Sequence, residues 1–391
     1  MGELRVKLGY DDIMITPAAI TNIDSRSECN PFIDSDGTLP LFTAPMDSVV
    51  SEENFNTFIE NGITPIIPRT YDFGKRIEFL NKDMWVSFSQ SEFASIFLTD
   101  DFEIEQPVKV LIDIANGHMK SLYEETKQAK EKHGDNITIM VGNIGNPKTY
   151  TEIVKMNAGV SYVRLGIGSG GGCLTTSNTG VGYGMASLIK ETFEEKKKLI
   201  ESGICSCKMP KIIADGGIRN FDHVIKAFAL GADYVMIGTV FAKAIEAASI
   251  KCSQPNKKFE GVDLTRYTNL KVDDDLIWYG DYTEEYIKET EKKNGEPLKK
   301  KKNIKIGELF SKFYGMASKD GQIAMNGKKT KTSEGKTVYL PVEYTLSGWV
   351  NNFKDFFKST MSYTNKASYY EFKGNVELTI PSDSYQKAVN K

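Results

Sequence analysis

Eight short runs of β-branched and aromatic residues, separated mostly by segments of helical period, limit what this chain can fold into. Most of the runs are apolar at consecutive positions, which is typical of parallel strands covered on both faces. Several end in Gly, Asn, Asp or Pro, so turns are expected at their carboxyl ends. The runs occupy residues 41–46, 64–69, 85–89, 108–114, 137–143, 162–166, 211–216 and 234–238.

This alternation over about 200 residues predicts a (β/α)8 TIM barrel, an α/β fold with functional residues at the carboxyl ends of its strands. A doubly wound open sheet is the alternative, but no G-x-G-x-x-G follows the first run. Residues 250–307 become charged and polar, and we expect them to form an insertion after the eighth strand. Residues 308–345 are expected to form an active-site flap, within a single barrel domain over 1–391.

Composition narrows the class of function. The chain has 49 Lys+Arg against 52 Asp+Glu, a formal net charge of -3, which provides no global field for a nucleic acid. A basic patch at Lys299–Lys302 is an alternative, but a lysine-rich stretch amid glutamates is more often a solvated surface. No apolar run approaches the roughly 18 residues of a membrane span. Of five cysteines only Cys205 and Cys207 are close, without a zinc-ligand set, so we expect a reducing compartment and a cytoplasmic protein.

The segment Gly166–Gly184, GIGSGGGCLTTSNTGVGYG, follows the sixth run and carries the densest chemical signal. Glycines accept positive φ and let the backbone approach a ligand, so this loop can present amides to a phosphate or carbonyls to a cation. Cys173 lies inside the loop, near Thr175 and Thr176, and is a candidate nucleophile. A buried, inert cysteine is the alternative, although glycine neighbours provide little apolar cover.

Two further strand ends are typical of a phosphate site. Residues 214–217 (ADGG) close the seventh run and residues 237–239 (IGT) close the eighth, where backbone amides of a barrel commonly converge on phosphate. Asp215 suits a ribose diol, because a carboxylate can accept two hydroxyl hydrogen bonds. His118, after the fourth run, is a candidate general base, but a lone histidine there is more often a structural hydrogen-bonder. No role is predicted for His133 or His223.

With these motifs in order, the sequence resembles the family of inosine-monophosphate (IMP) dehydrogenase and guanosine-monophosphate (GMP) reductase. The resemblance covers most of the chain and fails mainly at residues 250–307 and near the C-terminus. It implies a (β/α)8 barrel and hydride transfer between nicotinamide and purine C2 through a covalent thioimidate. The motifs are YDDIMITP (10–17), SRSE (25–28), APMDSV (44–49), DIANGH (113–118), GIGSGGGCLTT (166–176), IADGG (213–217), MIG (236–238), FYGM (313–316) and SEGKT (333–337).

The resemblance is closer to the reductase branch. Only a short segment separates residues 69 and 85, where dehydrogenases usually carry regulatory modules, and residues 319–332 lack the Arg-Tyr pair of a dehydrogenase flap. This implies NADPH-dependent reductive deamination of GMP to IMP and ammonia, with Cys173 as nucleophile and Thr175 and Glu334 assisting loss of ammonia. A dehydrogenase without regulatory modules, an enzyme for a modified or deoxy purine nucleotide, and an inactive purine-nucleotide sensor are the alternatives.

The resemblance also implies binding residues and an assembly. A homotetramer is expected, with the cofactor site near a neighbouring subunit. Potassium is expected at the carbonyls of Gly168, Gly170 and Cys173. The cofactor is expected at Ser25, Arg26, Arg69, Asp113, Ile114, Ala115, Ile167 and Gly168. The purine nucleotide is expected at Met46, Asp215, Gly216, Gly217, Gly238, Thr239, Tyr314, Gly315, Met316, Lys331, Ser333 and Gly335.

The sequence departs from the family pattern at three places. Residues 170–172 are all glycine, so a phosphate-binding serine hydroxyl is absent from the loop. Thr176 and Lys331 stand where the reductase has arginines, and losing the bidentate geometry of arginine is not conservative. These departures are the reason to keep an altered purine nucleotide as an alternative substrate.

Overall fold

A closed ring of eight parallel strands forms the centre of the protein. The computed structural model describes residues 4–100, 102–252, 292–293, 296–297, 309–329, 332–382 and 384–385. Each predicted run overlaps one strand of the ring, so the (β/α)8 barrel is confirmed. The strands are β1 (Leu41–Thr43), β2 (Ile66–Ile67), β3 (Trp85–Phe88), β4 (Val108–Asp113), β5 (Ile137–Ile144), β6 (Tyr162–Leu165), β7 (Lys211–Asp215) and β8 (Tyr234–Ile237).

Neighbouring strands pair in sequence order, and β1 pairs with β8 on its other side. A bridge between Phe42 and Thr64 joins β1 to the start of β2 and closes the ring. Side chains on the inner faces fill the barrel, so a ligand can enter only at an end of the strands. This inner cluster contains Phe42, Ala44, Ile66, Trp85, Leu111, Met140, Ile213, Tyr234 and Met236.

Amphipathic helices cover the outside of the ring. In α4, for example, Leu122, Thr126 and Ala129 are buried on one face, and α3 begins with a capping box between Ser89 and Glu92. The helices are α1 (Phe55–Glu60), α2 (Phe73–Leu80), α3 (Gln90–Phe97), α4 (Lys120–His133), α5 (Pro147–Lys155), α6 (Thr175–Thr179), α7 (Met185–Glu201), α8 (Phe221–Ala229), α9 (Lys319–Asn326), α10 (Leu346–Tyr363) and α11 (Tyr369–Phe372).

A three-stranded antiparallel sheet forms the flap after the barrel. Its order is β9 (Lys251–Cys252), β10 (Phe310–Tyr314) and β11 (Thr337–Pro341), and α9 lies between the last two strands. Lys251 and Cys252, at the start of the predicted insertion 250–307, pair with β10. Most of 250–307, including the Lys299–Lys302 run, lies outside the described residues.

The chain ends and one loop complete the described structure. Met14–Ile15 pairs antiparallel with Leu378–Thr379, so the two ends meet on the outside of the barrel. Cys205 and Cys207 are joined in a disulfide. Within the described ranges, no helix is both long and apolar enough to cross a membrane.

Candidate active site

Three side chains at the carboxyl ends of the strands form a chain of hydrogen bonds. Cys173 Sγ lies 3.2 Å from Thr175 Oγ1, and Thr175 Oγ1 lies 3.3 Å from Glu334 Oε2. The thiol, hydroxyl and carboxylate are thus in series, and all three residues are partly buried. This is the set that the resemblance implies as catalytic, and it can pass a proton between a group bound at Cys173 and Glu334.

Main-chain pairing between the cysteine loop and the flap produces this proximity. Cys173 forms an antiparallel bridge with Gly335, the Leu174 amide donates to the Glu334 carbonyl at 2.8 Å, and the Lys336 amide donates to the Gly172 carbonyl at 3.0 Å. Glu334 is 159 residues from Thr175 along the chain. The backbone register therefore fixes which flap side chain faces the nucleophile.

A cavity of about 190 Å³ opens beside Cys173. Among the described residues, no hydrogen bond outside the strand ladders uses the amides of Gly171, Gly217 or Gly238 as donors, and all three residues line this cavity. Gly216 and Gly217 have φ values of +93° and +76°, a region that favours glycine. Free amides converging on one space form an anion-binding concavity, which fits the predicted phosphate site.

Steric contacts account for glycine at two of the three consecutive positions, 171 and 172. A β-carbon at position 171 would lie 2.7 Å from Thr239 Oγ1, and one at position 172 would lie 2.8 Å from the Gly315 amide nitrogen. The Thr239 hydroxyl therefore fills the space where a side chain at 171 would begin. A side chain at position 171 would therefore require the Thr239 hydroxyl to move, and one at position 172 would meet the flap backbone.

Thr176, another departure from the family pattern, also has a local role. Its hydroxyl donates to the Ile167 carbonyl at 3.1 Å. A β-carbon at Gly168 would lie 1.8 Å from Thr176 Oγ1, so this threonine packs directly onto the loop backbone. Thr176 thus braces the glycine loop, and its hydroxyl is engaged within the chain.

Asp215 ends β7 at the edge of the cavity and is bound by donors on one oxygen. Oδ2 accepts from Asn143 Nδ2 at 2.8 Å and from Arg164 NH2 at 2.8 Å and Nε at 3.2 Å. In the described part of the chain these three donors all reach Oδ2, which leaves Oδ1 as the oxygen able to accept from a ligand. A carboxylate fixed in this way suits a ribose hydroxyl, as the sequence predicts.

Arg164 links Asp215 to a second carboxylate, Asp113, at the end of β4. Its NH1 donates to Asp113 Oδ1 at 2.7 Å, and its side chain is only 6% exposed. Burial alone would raise the pKa of Asp113, but the charges of Arg164 and Arg69 outweigh it and hold that pKa below its ordinary value. Asp113 therefore remains ionised at neutral pH beside the buried guanidinium.

The predicted cofactor residues fall into two separate groups. Arg69 Nε lies 3.6 Å from Asp113 Oδ2 and makes no hydrogen bond in the described structure, so a buried donor remains for a ligand. Ile114 and Ala115 follow Asp113 at the same strand end. By contrast, the guanidinium of Arg26 pairs with Asp355 on α10, and Ser25 precedes it in the same segment.

The remaining predicted substrate residues come mostly from the flap and from the loop after β1. Met46, Gly315 and Met316 line the cavity, and Gly335 pairs with Cys173. Tyr314 donates its hydroxyl to Asp47 Oδ2 at 2.6 Å, which ties the flap to that loop. The hydroxyl of Ser333 is buried without a partner in the described structure, which fits a ligand contact. Lys331 lies outside the described residues.

The carbonyls predicted to bind potassium lie on the same loop. The Gly170 carbonyl already accepts the Cys173 amide at 3.0 Å, so one of its lone pairs is engaged. Among the described residues, no three His, Cys, Asp or Glu side chains are grouped as metal ligands. The potassium site at Gly168, Gly170 and Cys173 stays a prediction.

His118 has the structural role that the sequence favoured. Its Nε2 accepts from the Gly145 amide at 3.0 Å, and its Nδ1 lies 2.9 Å from Thr149 Oγ1. Burial lowers the pKa of His118, which favours the neutral ring that these contacts require. The histidine thus fixes the loop after β5.

Sequence reasoning did not identify Arg164 or Asn143 as part of the site. Arg164 interrupts the apolar run YVRLG, and a charged residue on a buried strand requires a partner. This charged residue within an apolar run is the sequence signal from which Arg164 could have been predicted. Asn143 carried no such signal, because an asparagine at a strand end is ordinary turn chemistry.

Comparisons with known proteins find similarity to one enzyme family. A model of the IMP dehydrogenase / GMP reductase domain matches residues 104–274, which include β4 to β8 and the cysteine loop. The GMP reductase of Vibrio vulnificus is 29% identical over 389 residues, covering 94% of this chain and 93% of that protein. That of Vibrio parahaemolyticus is 27% identical over 390 residues, with the same coverage. That of Staphylococcus epidermidis is 32% identical over 262 residues, covering 64% of this chain and 76% of its own.

Proposed function

The chain belongs to the IMP dehydrogenase and GMP reductase family, and on that premise we propose that it is a reductase that deaminates GMP. GMP, NADPH and a proton would give IMP, ammonia and NADP+. The observation that carries the proposal is the Cys173, Thr175 and Glu334 series, with contacts of 3.2 Å and 3.3 Å. Two further observations support the proposal. Free backbone amides line the cavity where a phosphate would bind, and Asp215 Oδ1 remains able to accept from a ribose hydroxyl.

In the proposed reaction, the Cys173 thiol passes its proton through Thr175 to the Glu334 carboxylate, and Sγ attacks purine C2 and forms a carbon–sulfur bond. Thr175 relays a proton from Glu334 to the departing amine, so that ammonia leaves and a thioimidate remains on Cys173. The reduced nicotinamide cofactor supplies the hydride that reaches C2. Release of the Cys173 thiolate then gives IMP and restores the nucleophile.

The residues around Asp113 fit a nicotinamide nucleotide on the side of the cavity away from the phosphate cradle. Arg69 keeps a donor without a hydrogen-bond partner in the described structure, and Asp113 is held ionised beside it. Ser25 and Arg26 lie instead against α10, on the outside of the barrel. In a homotetramer these two residues would serve the cofactor site of a neighbouring copy.

The test is absorbance at the nicotinamide band with GMP and NADPH, beside a matched reaction with IMP and NAD+. We expect loss of absorbance and release of ammonia with GMP, and no activity in Cys173→Ala. Cys29→Ala is the matched control, because Cys29 is a buried free cysteine whose Sγ contacts the Lys366 carbonyl instead of the site. Full activity in Cys29→Ala would show that the loss is specific to the nucleophile.

Other outcomes would point to the alternatives. Production of NADH from IMP would make the chain a dehydrogenase and overturn the proposal. Turnover of a deoxy or modified purine nucleotide in preference to GMP would keep the chemistry but change the substrate. Nucleotide binding without turnover, equal in Cys173→Ala, would indicate a sensor.

A further inference from the structure

A buried histidine lies directly behind the loop that is proposed to bind phosphate. His223, in the first turn of α8, is only 1% exposed. Its Nδ1 lies 3.1 Å from the Gly217 carbonyl oxygen, to which an Nδ1–H donates. The Arg219 amide nitrogen lies farther away, at 3.3 Å, and would donate only to an Nδ1 without a proton. Its Nε2 lies 3.0 Å from Asp11 Oδ1. One ring nitrogen thus contacts the loop, and the other contacts the N-terminal segment.

The histidine ring is fixed from several sides. The ring of Tyr10 stacks on it at a centroid distance of 5.2 Å and an angle of 25°. The Arg219 guanidinium also binds Asp11, and Lys226 Nζ donates to the Tyr10 carbonyl at 3.1 Å. These contacts hold the imidazole in one orientation relative to the loop.

The contact with Gly217 has a consequence inside the cavity. In a trans peptide the carbonyl and the following N–H point in opposite directions, so holding the Gly217 oxygen against His223 turns the Ile218 amide away from it. Ile218 lines the cavity, and its amide is not a donor in any hydrogen bond of the described residues. Because Gly216 and Gly217 are conformationally permissive, this peptide plane needs an external restraint.

We propose that His223, oriented by Asp11, is a positioning residue for the phosphate group of the nucleotide. Its Nδ1–H donates to the Gly217 carbonyl and holds the Gly217–Ile218 peptide so that the Ile218 amide joins the free amide of Gly217. The inference rests on the proposed function, because it takes this loop as the phosphate site. It also gives the YDD sequence at residues 10–12 a role in the site, although Asp11 lies outside the cavity.

The experiment compares two probes on the full chain by calorimetry. Ribose 5-phosphate reports on the phosphate cradle, and guanosine reports on the base and ribose contacts without phosphate. Glutamine can reach the Nε2 position of a histidine, whereas asparagine places its amide near Nδ1. His223→Gln should keep the Asp11 contact and lose the loop contact, and His223→Asn should do the reverse.

For His223→Gln we expect ribose 5-phosphate to bind about ten-fold more weakly, the size of one lost hydrogen bond in a buried site, with guanosine affinity unchanged. His223→Asn should restore most of the ribose 5-phosphate affinity. Asp11→Asn, at a more exposed position, should weaken the same probe by about three-fold, since the ring keeps a partner but not a charged one. Under turnover, the KM for GMP should rise with little change in kcat.

His133→Gln is the matched control. His133 is the last residue of α4, and its Nε2 contacts the carbonyl of Phe97, the last residue of α3. This variant should leave both affinities unchanged. If His223→Gln lowered the affinity for both probes equally, the proposal would be overturned and the histidine would have a purely structural role. The same conclusion would follow if His223→Asn bound ribose 5-phosphate no better than His223→Gln does. A wild-type chain that binds guanosine but not ribose 5-phosphate would overturn the phosphate site itself, and the positioning role with it.

Discussion

Two carboxylates at opposite ends of the same barrel, Asp233 buried and Asp215 partly buried, have different sets of hydrogen-bond donors. Asp233, just before β8, has partners on both oxygens, with Lys373 Nζ at 2.5 Å from Oδ1 and Lys196 Nζ at 2.9 Å from Oδ2. The Ile212 amide adds a third donor at 2.8 Å. Asp215, at the other end of β7, has three donors that all reach Oδ2.

The number of carboxylate oxygens that have donors within the chain distinguishes a structural carboxylate from one that can bind a ligand. Burying a charge is costly unless its hydrogen-bonding capacity is met. At Asp233 the chain itself meets that need, and the ion cluster closes the lower end of the barrel. At Asp215 the chain fixes the group but leaves one oxygen at the cavity, where a ligand can complete the set. We infer that incomplete satisfaction beside a cavity, and not burial alone, marks the site.

The largest effect is expected for Arg164→Met, which removes the shared partner of Asp113 and Asp215. Leaving buried carboxylates unpaired should lower the free energy of unfolding by about 3–5 kcal/mol and abolish turnover of GMP. The lowered pKa of Asp113 implies stability that is present above its unfolded-state pKa and is lost as pH falls through the folded value. The variant should therefore lose part of this acid-dependent stability, as measured by urea unfolding across pH.

Arg76→Met is the matched control for that variant. Arg76 is also buried, and its NH2 donates to Glu92 Oε1 at 2.5 Å between α2 and α3. It should cost stability but leave kcat/KM for GMP unchanged in the folded fraction. If Arg164→Met and Arg76→Met lost activity equally, the loss in Arg164→Met would not be specific to the site.

Asp215→Asn should affect activity more than stability. The amide keeps the shape of the side chain but loses the charge that a ribose hydroxyl would meet, so kcat/KM for GMP should fall about 100-fold, or about 2.7 kcal/mol. Arg164 keeps Asp113 as its counter-ion, and the thermal midpoint should change little. Steady-state kinetics beside thermal unfolding tests this, and a stable variant with unchanged kcat/KM would remove Asp215 from the site.

Asp233→Asn should show the opposite pattern. Loss of the negative charge leaves two lysine ammonium groups near each other, so the free energy of unfolding should fall by about 2 kcal/mol. The activity of the folded enzyme should be unchanged, because Asp233 and its partners lie at the far end of the strands. Urea unfolding and kinetics on the same preparation would test this; a loss of kcat at full stability would contradict it.

The sequence predicted features that depend on local pattern. Eight runs located the eight strands because buried parallel strands are apolar at consecutive positions. The resemblance implied a role for Cys173, Thr175 and Glu334, although only the flap register shows that they touch. His223 could not be found in this way, because its partner Asp11 is 212 residues away along the chain. Which oxygen of Asp215 stays free is likewise set by tertiary contacts that no spacing reveals.

The smallest effect is expected for Asp47. One oxygen of its carboxylate has no hydrogen-bond partner in the described structure, and the residue does not line the cavity. Its Oδ2 accepts from Tyr314 at 2.6 Å, whereas Oδ1 is buried without a partner in the described structure. Burial raises the pKa of Asp47, so ionisation at neutral pH costs stability. Asp47→Asn should therefore raise the free energy of unfolding at neutral pH by about 1 kcal/mol, because Asn can still accept from Tyr314.

The sign of this gain depends on pH. A folded pKa above the unfolded one means that the wild-type penalty appears as pH rises through the unfolded pKa and is complete above the folded one. In acid the carboxyl is neutral in both states, so the advantage of Asp47→Asn should disappear below about pH 4. Asp36→Asn, at an exposed position, should show no such trend. A large loss of activity in Asp47→Asn would show instead that an unmet oxygen marks function even away from the cavity.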